Sequence, residues 1–304
     1  MPAEYDPSPT ALFQPERADS VFRRGAPESL DALAVEAARL AYLRFDQLPG
    51  DRVRLVEALA LAGFGEPALF EHPATSGEGY GAMRGDGLAL LAFRGTQPDR
   101  LRDLLTDAQF FLRPWDLGPG RVHAGFRAAA IGLWSQVQPW LAGAARTRAR
   151  LLVCGHSLGA AVATLLAQPA GATRLVTIGS PRVGDADFVA ALEGQAGLEN
   201  VRFVDCCDLV TEMPPALLGF VHAAAPRYID RAGAVAIAPS AGFIAADQLR
   251  ARTEYLRRFA FRNGSLPARE LADHAPANYL RAFFDEVPRG APPEDPGTRP
   301  NARE

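Results

Sequence analysis

A serine stands at a point in this sequence where a buried strand turns sharply into a helix. Four apolar residues at 151–154 run into Gly-His-Ser-Leu-Gly at 155–159, and an alanine-rich, uncharged stretch follows. Strand, tight turn and helix form the setting in which a nucleophilic serine is held clear of a sheet edge. The start of the helix would aim backbone N–H groups at a developing oxyanion. Ser157 is therefore the candidate nucleophile.

A hydroxyl is a weak nucleophile at neutral pH, so Ser157 needs a base, and that base needs an orienting acid. No lysine occurs in the chain, because all 32 basic residues are arginine. This excludes a serine–lysine dyad, a Schiff-base lysine and a phosphate-binding lysine loop. In folds with this kind of turn, the acid follows the serine and the histidine follows the acid. The base is then His222 or His274.

The residues alone leave the acid open. Asp205 and Asp208 come just past an apolar strand, where their carboxylates would reach the functional edge of a sheet. Spacing alone does not separate these two from the other acidic residues that follow Ser157. The candidates are Asp185, Asp187, Asp205, Asp208 and Asp230.

The composition limits the classes of function. The chain has 304 residues, 48% of them hydrophobic and 22% charged, with a net charge of −3, which is ordinary for a soluble globular protein. A charge so close to neutral makes no case for nucleic-acid binding. The five histidines are scattered and no His-Glu-x-x-His or Cys-x-x-Cys spacing occurs, so we expect no metal and no cofactor. The three cysteines form no disulfide framework.

Strands and helices alternate through the middle of the chain, which predicts one α/β domain with a mostly parallel central sheet flanked by helices. Its predicted range is 28–286, between a loosely ordered arm at 1–27 and a disordered, proline-rich tail at 287–304. A helix predicted at 244–261 matches no motif. No apolar leader or membrane-length run is recognised, so a cytoplasmic location is the default expectation, with leaderless export as the alternative.

Further segments fall in a recognisable order around the serine. They are Phe-Arg-Gly-Thr at 93–96, Leu-Thr-Asp at 105–107, Val-His-Ala-Gly-Phe at 122–126, Gly-Ser-Pro-Arg-Val-Gly at 179–184, Asp-Leu-Val at 208–210 with Pro-Pro at 214–215, Phe-Val-His at 220–222 and Asp-His at 273–274. Together they resemble the fungal-type (class 3) triacylglycerol lipases of the α/β-hydrolase superfamily. The resemblance covers about residues 30 to 285.

The resemblance implies roles that spacing could not assign. It makes Ser157 the nucleophile, Asp208 the orienting acid and His274 the base, with Thr96 and the backbone N–H of Leu158 as the oxyanion hole. His222 then takes a core role. Asp205 becomes a neighbouring carboxylate without a direct part in the reaction. Residues 97–111 fall where the family carries a lid, although Leu104 stands where a lid tryptophan is common.

The sequence hypothesis is a carboxylic ester hydrolase acting on acylglycerols or related lipid esters through an acyl-enzyme. Its partners would be a lipid or small ester substrate and, transiently, a lipid interface. One alternative is a soluble short-chain carboxylesterase. Another is a catalytically inactive relative that binds lipid or protein, and a weaker one is acyl transfer to an alcohol. The oligomeric state is left open.

Overall fold

A mixed eight-stranded sheet runs through the centre of the protein, which we describe from a computed structural model covering residues 3–25, 27, 29–45, 47–95 and 110–290. The order across the sheet is β1-β2-β3-β6-β7-β8-β9-β10. A short pair, β4 with β5, lies apart from it. The strands are β1 Ala68–His72, β2 Gly77–Met83, β3 Leu88–Phe93, β4 Leu112–Pro114, β5 Arg121–His123, β6 Arg150–His156, β7 Arg174–Ile178, β8 Glu199–Asp205, β9 Pro226–Ile229 and β10 Val235–Ile237.

The centre of the sheet is parallel. Strands β3, β6, β7, β8 and β9 pair in parallel, and antiparallel pairs join β1 to β2, β2 to β3 and β9 to β10. Because all the parallel strands end at the same edge, the loops that follow them meet there. The predicted α/β fold with a mostly parallel sheet is confirmed.

Helices cover both faces of this sheet. The helices are α1 Pro9–Phe13, α2 Leu30–Leu40, α3 Pro49–Leu61, α4 Ala124–Ala142, α5 Leu158–Ala170, α6 Ala186–Glu193, α7 Ala241–Arg258, α8 Arg269–Ala272 and α9 Pro276–Leu280. Strand β3 shows how the layers form, because alternate residues of a strand point to opposite faces. Leu90 packs in the core beneath α2 and α3, whereas Leu91 packs in the core beneath α4 and α5. A strand buried on both faces needs the continuous apolar run seen at 88–93.

The sequence predicts one helix over residues 271–284, but the structure divides it. Helix α8 ends at Ala272, and α9 begins at Pro276 after Ala275 adopts an extended backbone. Proline has no N–H and restricts the residue before it to extended conformations, so a continuous helix cannot pass this point. His274 lies in the break.

The segment predicted as a loosely ordered arm is structured where it is described. Helix α1 and two 3-10 helices, Pro15–Arg17 and Val21–Arg24, occupy residues 9–24. Val21 and Phe22 are 1% and 2% exposed in the core under α2. Most of the described apolar residues of this segment are therefore buried, which its polar and proline-rich composition does not indicate. The predicted tail lies outside the described residues from 291 onward, as do residues 97–109 of the predicted lid region.

A buried ion pair holds this N-terminal segment to α2. The carboxylate of Glu36, 0% exposed, accepts hydrogen bonds from Arg39 at 2.6 and 2.8 Å and from the hydroxyl of Ser20 at 2.8 Å. The Arg39 guanidinium also donates to the carbonyl oxygens of Pro15 and Ala18 at 2.7 and 3.3 Å. Buried charges are tolerated when paired and hydrogen-bonded in this way.

No described helix is long and apolar enough to cross a membrane.

We expect Glu36→Ala to lower the free energy of unfolding by about 3–5 kcal/mol, because it leaves the Arg39 charge buried without its carboxylate. Urea denaturation followed by circular dichroism measures this change. Glu57→Ala is the matched control, since its ion pair with Arg23, at 3.6 Å, joins two largely exposed side chains and is worth under about 1 kcal/mol. Equal small changes in both variants would contradict the assignment of this pair as the anchor.

Candidate active site

Ser157 occupies the turn between β6 and α5 with a strained backbone. Its φ of 57° and ψ of −125° lie in a region that side-chain-bearing residues rarely adopt. The turn is possible because Gly155 and Gly159 lack side chains. A Cβ at Gly155 would overlap the carbonyl of Gly159, and a Cβ at Gly159 would overlap the carbonyl of Phe93 at the end of β3. The strand–turn–helix expected from the sequence is the one observed.

The hydroxyl of Ser157 points at the imidazole of His274. The Oγ–Nε2 distance is 2.9 Å, and both residues are nearly inaccessible, at 1% and 2% exposed. On the other side of the ring, Nδ1 lies 2.9 Å from both carboxylate oxygens of Asp208. With the carboxylate accepting from Nδ1–H, Nε2 is left free to accept the proton of the serine. Three residues from distant parts of the chain thus form a continuous relay of hydrogen bonds.

Two further donors hold the Asp208 carboxylate. It caps the 3-10 helix Leu209–Glu212 and accepts from the backbone N–H of Val210 at 2.9 Å. The hydroxyl of Tyr279, on α9, donates to its other oxygen at 2.6 Å. Tyr279 is fully buried, and this burial raises its pKa well above the ordinary value, so it stays a donor. The acid is thereby oriented by three groups, one of which is the imidazole.

A second histidine supports the backbone of the first. His156 donates from Nε2 to the carbonyl oxygen of His274 at 2.9 Å, and its Nδ1 lies 2.8 Å from the hydroxyl of Tyr42. Because a carbonyl only accepts, the proton is assigned to Nε2, and Tyr42 donates to Nδ1. Burial, with His274 nearby, lowers the pKa of His156 well below its ordinary value, so this ring is neutral.

The other predicted candidates lie away from this relay. The ring of His222 donates from Nε2 to the carbonyl of Thr211 at 2.7 Å, and burial lowers its pKa to about 3. Asp205 ends β8, and its backbone carbonyl accepts from the N–H of Asp208 at 2.8 Å. Burial first, and then the charge of Asp273, raise the pKa of its carboxyl well above the usual range. The structure brings Asp208 against His274, and it brings neither Asp205 nor His222 there.

Of the expected oxyanion donors, one is described. Leu158 is the first residue of α5, where backbone N–H groups have no acceptor within the helix, so its N–H can serve an external oxygen beside Ser157. Thr96 lies outside the described residues and stays a prediction.

Tyr42 and Tyr279 contact the site, but sequence reasoning did not single them out. Tyr42 follows the end of α2, and Tyr279 lies five positions after His274. A buried tyrosine needs a partner for its hydroxyl, yet the partner is supplied by segments remote in sequence. The sequence offered only one signal for Tyr279, an aromatic residue close to the predicted base His274.

Cys206, Cys207 and Asp273 are the ligand-type side chains, among those described, whose donor atoms come within 4.8 Å of one another. The Asp273 carboxylate is already engaged by the Arg269 guanidinium at 3.0 Å and by the backbone N–H of Cys207 at 2.9 Å. A permanent positive charge beside the carboxylate opposes a metal cation at the same place. This donor set therefore fits an ion-pair network better than a metal centre.

We expect Gly159→Ala to lower the free energy of unfolding by about 1–3 kcal/mol, because its methyl group would overlap the backbone of Phe93. Gly242→Ala is the control, since nothing lies within 4 Å of a Cβ at that helical position. Urea denaturation of both variants tests the tightness of the turn. A Gly159 variant as stable as the Gly242 variant would show that the turn has room for a side chain.

Comparisons with known proteins agree with this geometry. Residues 90–218 match the family described as Lipase (class 3). A secreted mono- and diacylglycerol lipase of Fusarium solani is 32% identical over 137 residues, which cover 43% of this chain and 41% of that protein. A lipase of Rhizomucor miehei is 31% identical over 155 residues, covering 46% and 41%. The chain thus spans less than half of the length of these relatives.

Solved structures share the fold. A triacylglycerol lipase whose catalytic centre is a serine-protease triad superposes with a TM-score of 0.55 at 26% identity, covering 66% of this chain and 77% of that one. Lipase II of Rhizopus niveus gives a TM-score of 0.52 at 27% identity, covering 65% and 77%. The family match over residues 90–218, the similar sequences and the shared sheet with its serine turn together support the class 3 lipase family of the α/β-hydrolase superfamily.

Proposed function

We propose that this protein hydrolyses carboxylic esters of lipids, with acylglycerols as the substrate class. The observation that carries the proposal is the hydrogen-bonded relay from Ser157 Oγ through the imidazole of His274 to Asp208, with both links at 2.9 Å. Related proteins described as mono- and diacylglycerol lipases support the acylglycerol class.

In the proposed reaction, Ser157 Oγ attacks the ester carbonyl carbon while its proton passes to Nε2 of His274. The developing oxyanion is held by N–H groups at the start of α5, including that of Leu158, and by Thr96. Collapse of the tetrahedral intermediate breaks the bond to the alcohol oxygen, which takes the proton from Nε2. Water then attacks the acyl-enzyme by the same route, and the carboxylic acid leaves. Asp208 keeps its charge and stabilises the imidazolium throughout.

Exposed apolar side chains near the relay in the chain favour a lipid ester over a small one. Leu209 directly follows the acid and is 40% exposed, and Leu217 and Leu218 in the next 3-10 helix are 87% and 43% exposed. Phe111, at the end of the predicted lid region, is 56% exposed. Where exposed apolar side chains form a contiguous patch, they mark a surface that contacts lipid or another apolar partner. Transient contact with a lipid interface is part of the proposal, and the cytoplasmic location stays a prediction.

We expect Ser157→Ala to reduce ester turnover by about 10³-fold or more while the fold is retained. The assay uses chromogenic esters from acetyl to palmitoyl, below and above their solubility limits, with circular dichroism to verify folding. Ser135→Ala, which removes an exposed hydroxyl on α4, is the control. Long-chain preference with a rise above the solubility limit supports a lipase. Turnover confined to short soluble esters supports a carboxylesterase, and no Ser157-dependent turnover overturns the proposal.

Thr96→Ala should lower kcat by about 10²–10³-fold, because one donor to the oxyanion is lost. Thr96→Ser retains the hydroxyl at the same position and should remain close to the wild type. Steady-state kinetics on the preferred ester give kcat and KM for both variants. A wild-type kcat in the alanine variant would remove Thr96 from the oxyanion hole.

A further inference from the structure

The segment that carries His274 has little regular structure of its own. It lies between α8 and α9, which have four and five residues, and its backbone is extended at Ala275. Helices this short are not stable by themselves. The position of the imidazole between Ser157 and Asp208 must therefore be set by groups outside the segment. The support from His156 reaches only the carbonyl of His274.

Residues 3–8, which we call the N-terminal strap, contact this segment from outside. The backbone N–H of Asp6 donates to Asn278 Oδ1 at 2.9 Å, and Asn278 Nδ2 donates back to the carbonyl of Asp6 at 2.8 Å. Asn278 is fully buried on α9. The carbonyl of Pro7 accepts from the N–H of Leu266, ahead of α8, at 2.8 Å. The strap thus bonds to chain on both sides of His274.

Tyr5 is the strap residue that reaches the centre of this segment. The guanidinium groups of Arg269 and Arg281 lie over its ring, 5.0 and 4.9 Å from the ring centroid. Its hydroxyl donates to Asp273 Oδ1 at 2.7 Å. Cation–π contact with two guanidinium groups keeps the ring in place, so the hydroxyl is held in a fixed position next to Asp273, the residue directly before His274.

Asp273 connects three separate parts of the chain. Besides Tyr5, it accepts from the Arg269 guanidinium at 3.0 Å and from the backbone N–H of Cys207 at 2.9 Å. Cys207 directly precedes Asp208. The fully buried Asp273 directly precedes the base in the chain. Its carboxylate is hydrogen-bonded to the residue before the acid and to Tyr5 of the strap. Fixing Asp273 fixes the separation of the two catalytic side chains.

We propose that Tyr5 is a positioning residue of the ester hydrolase reaction, which acts through Asp273 to hold His274 between Ser157 and Asp208. This inference rests on the proposed function. Tyr5 donates its hydrogen bond to Asp273 and not to Ser157, His274 or Asp208, so its contribution is to orientation. If the imidazole is displaced by a fraction of an ångström, the enzyme still binds substrate, but proton transfer from Ser157 to His274 becomes slower.

Tyr5→Phe is the test, because it removes the hydroxyl and retains the ring that contacts the two guanidinium groups. We expect kcat to fall by about three- to tenfold with KM within about twofold, as for an interaction that matters after binding. Tyr255→Phe is the matched control. Its ring packs edge-on against Tyr5 at 6.2 Å, and its hydroxyl donates to the carbonyl of Leu266 at 2.8 Å without reaching Asp273.

Hydrogen–deuterium exchange supplies a readout independent of turnover. Tyr5→Phe should speed exchange in residues 269–281, and Tyr255→Phe should leave residues 272–275 unchanged. If both variants lose kcat equally, and the loss follows the decrease in melting temperature, the role of Tyr5 is merely structural and the proposal is overturned. Faster exchange with an unchanged kcat would overturn it too. If the wild type hydrolyses no ester, the proposed function fails, and unchanged exchange in Tyr5→Phe would then reject the anchoring separately.

Discussion

A carboxylate removed from water must be held by donors, and the site depends on how this requirement is met at Asp208. The side chain is 2% exposed, and its oxygens receive hydrogen bonds from a backbone N–H, a tyrosine hydroxyl and the imidazole of His274. Each donor comes from a different element. The charge of Asp208 is stabilised only when all three donors are in place. The same hydrogen bonds therefore fix both the arrangement of the loops at this sheet edge and the orientation of the His274 imidazole.

The neighbouring buried charges follow the same logic. Asp205, Asp273, Arg269 and Arg281 lie behind the relay, all at most 6% exposed. Arg269 pairs with Asp273, whereas Arg281 lies 3.9 Å from Asp205 and no described group donates a hydrogen bond to either oxygen of that carboxyl. Burial, together with the charge of Asp273, raises the pKa of Asp205. The raised pKa favours the uncharged form of Asp205, because a charged carboxylate there would add a third negative charge close to Asp208 and Asp273.

The N-terminal segment shows how a few paired groups order a polar stretch of chain. Its composition indicates a loose arm, because prolines and charges outnumber the apolar residues. In the structure, the carbonyls at Pro15 and Ala18 satisfy the buried guanidinium of Arg39, and the strap around Tyr5 is bonded to the segment that bears the histidine. The polar residues that disfavour a hydrophobic core in this segment form hydrogen bonds with groups buried elsewhere. Local composition therefore did not predict that the segment is ordered.

The sequence by itself determined the local chemistry: a serine in a strand–turn–helix, the apolar runs at 88–93 and 151–154 that had to be buried on both faces, and the alternation that required an α/β sheet. These follow from short-range sterics and side-chain periodicity. It left the acid open among five carboxylates, two of them, Asp205 and Asp208, only three positions apart, until the resemblance to a family assigned it. Only the tertiary structure decided which carboxylate faces His274 and brought Tyr42, Tyr279 and Tyr5 to their partners. Those contacts join residues up to 268 positions apart. A local sequence pattern does not show which remote residues come together, because that depends on how the whole chain folds.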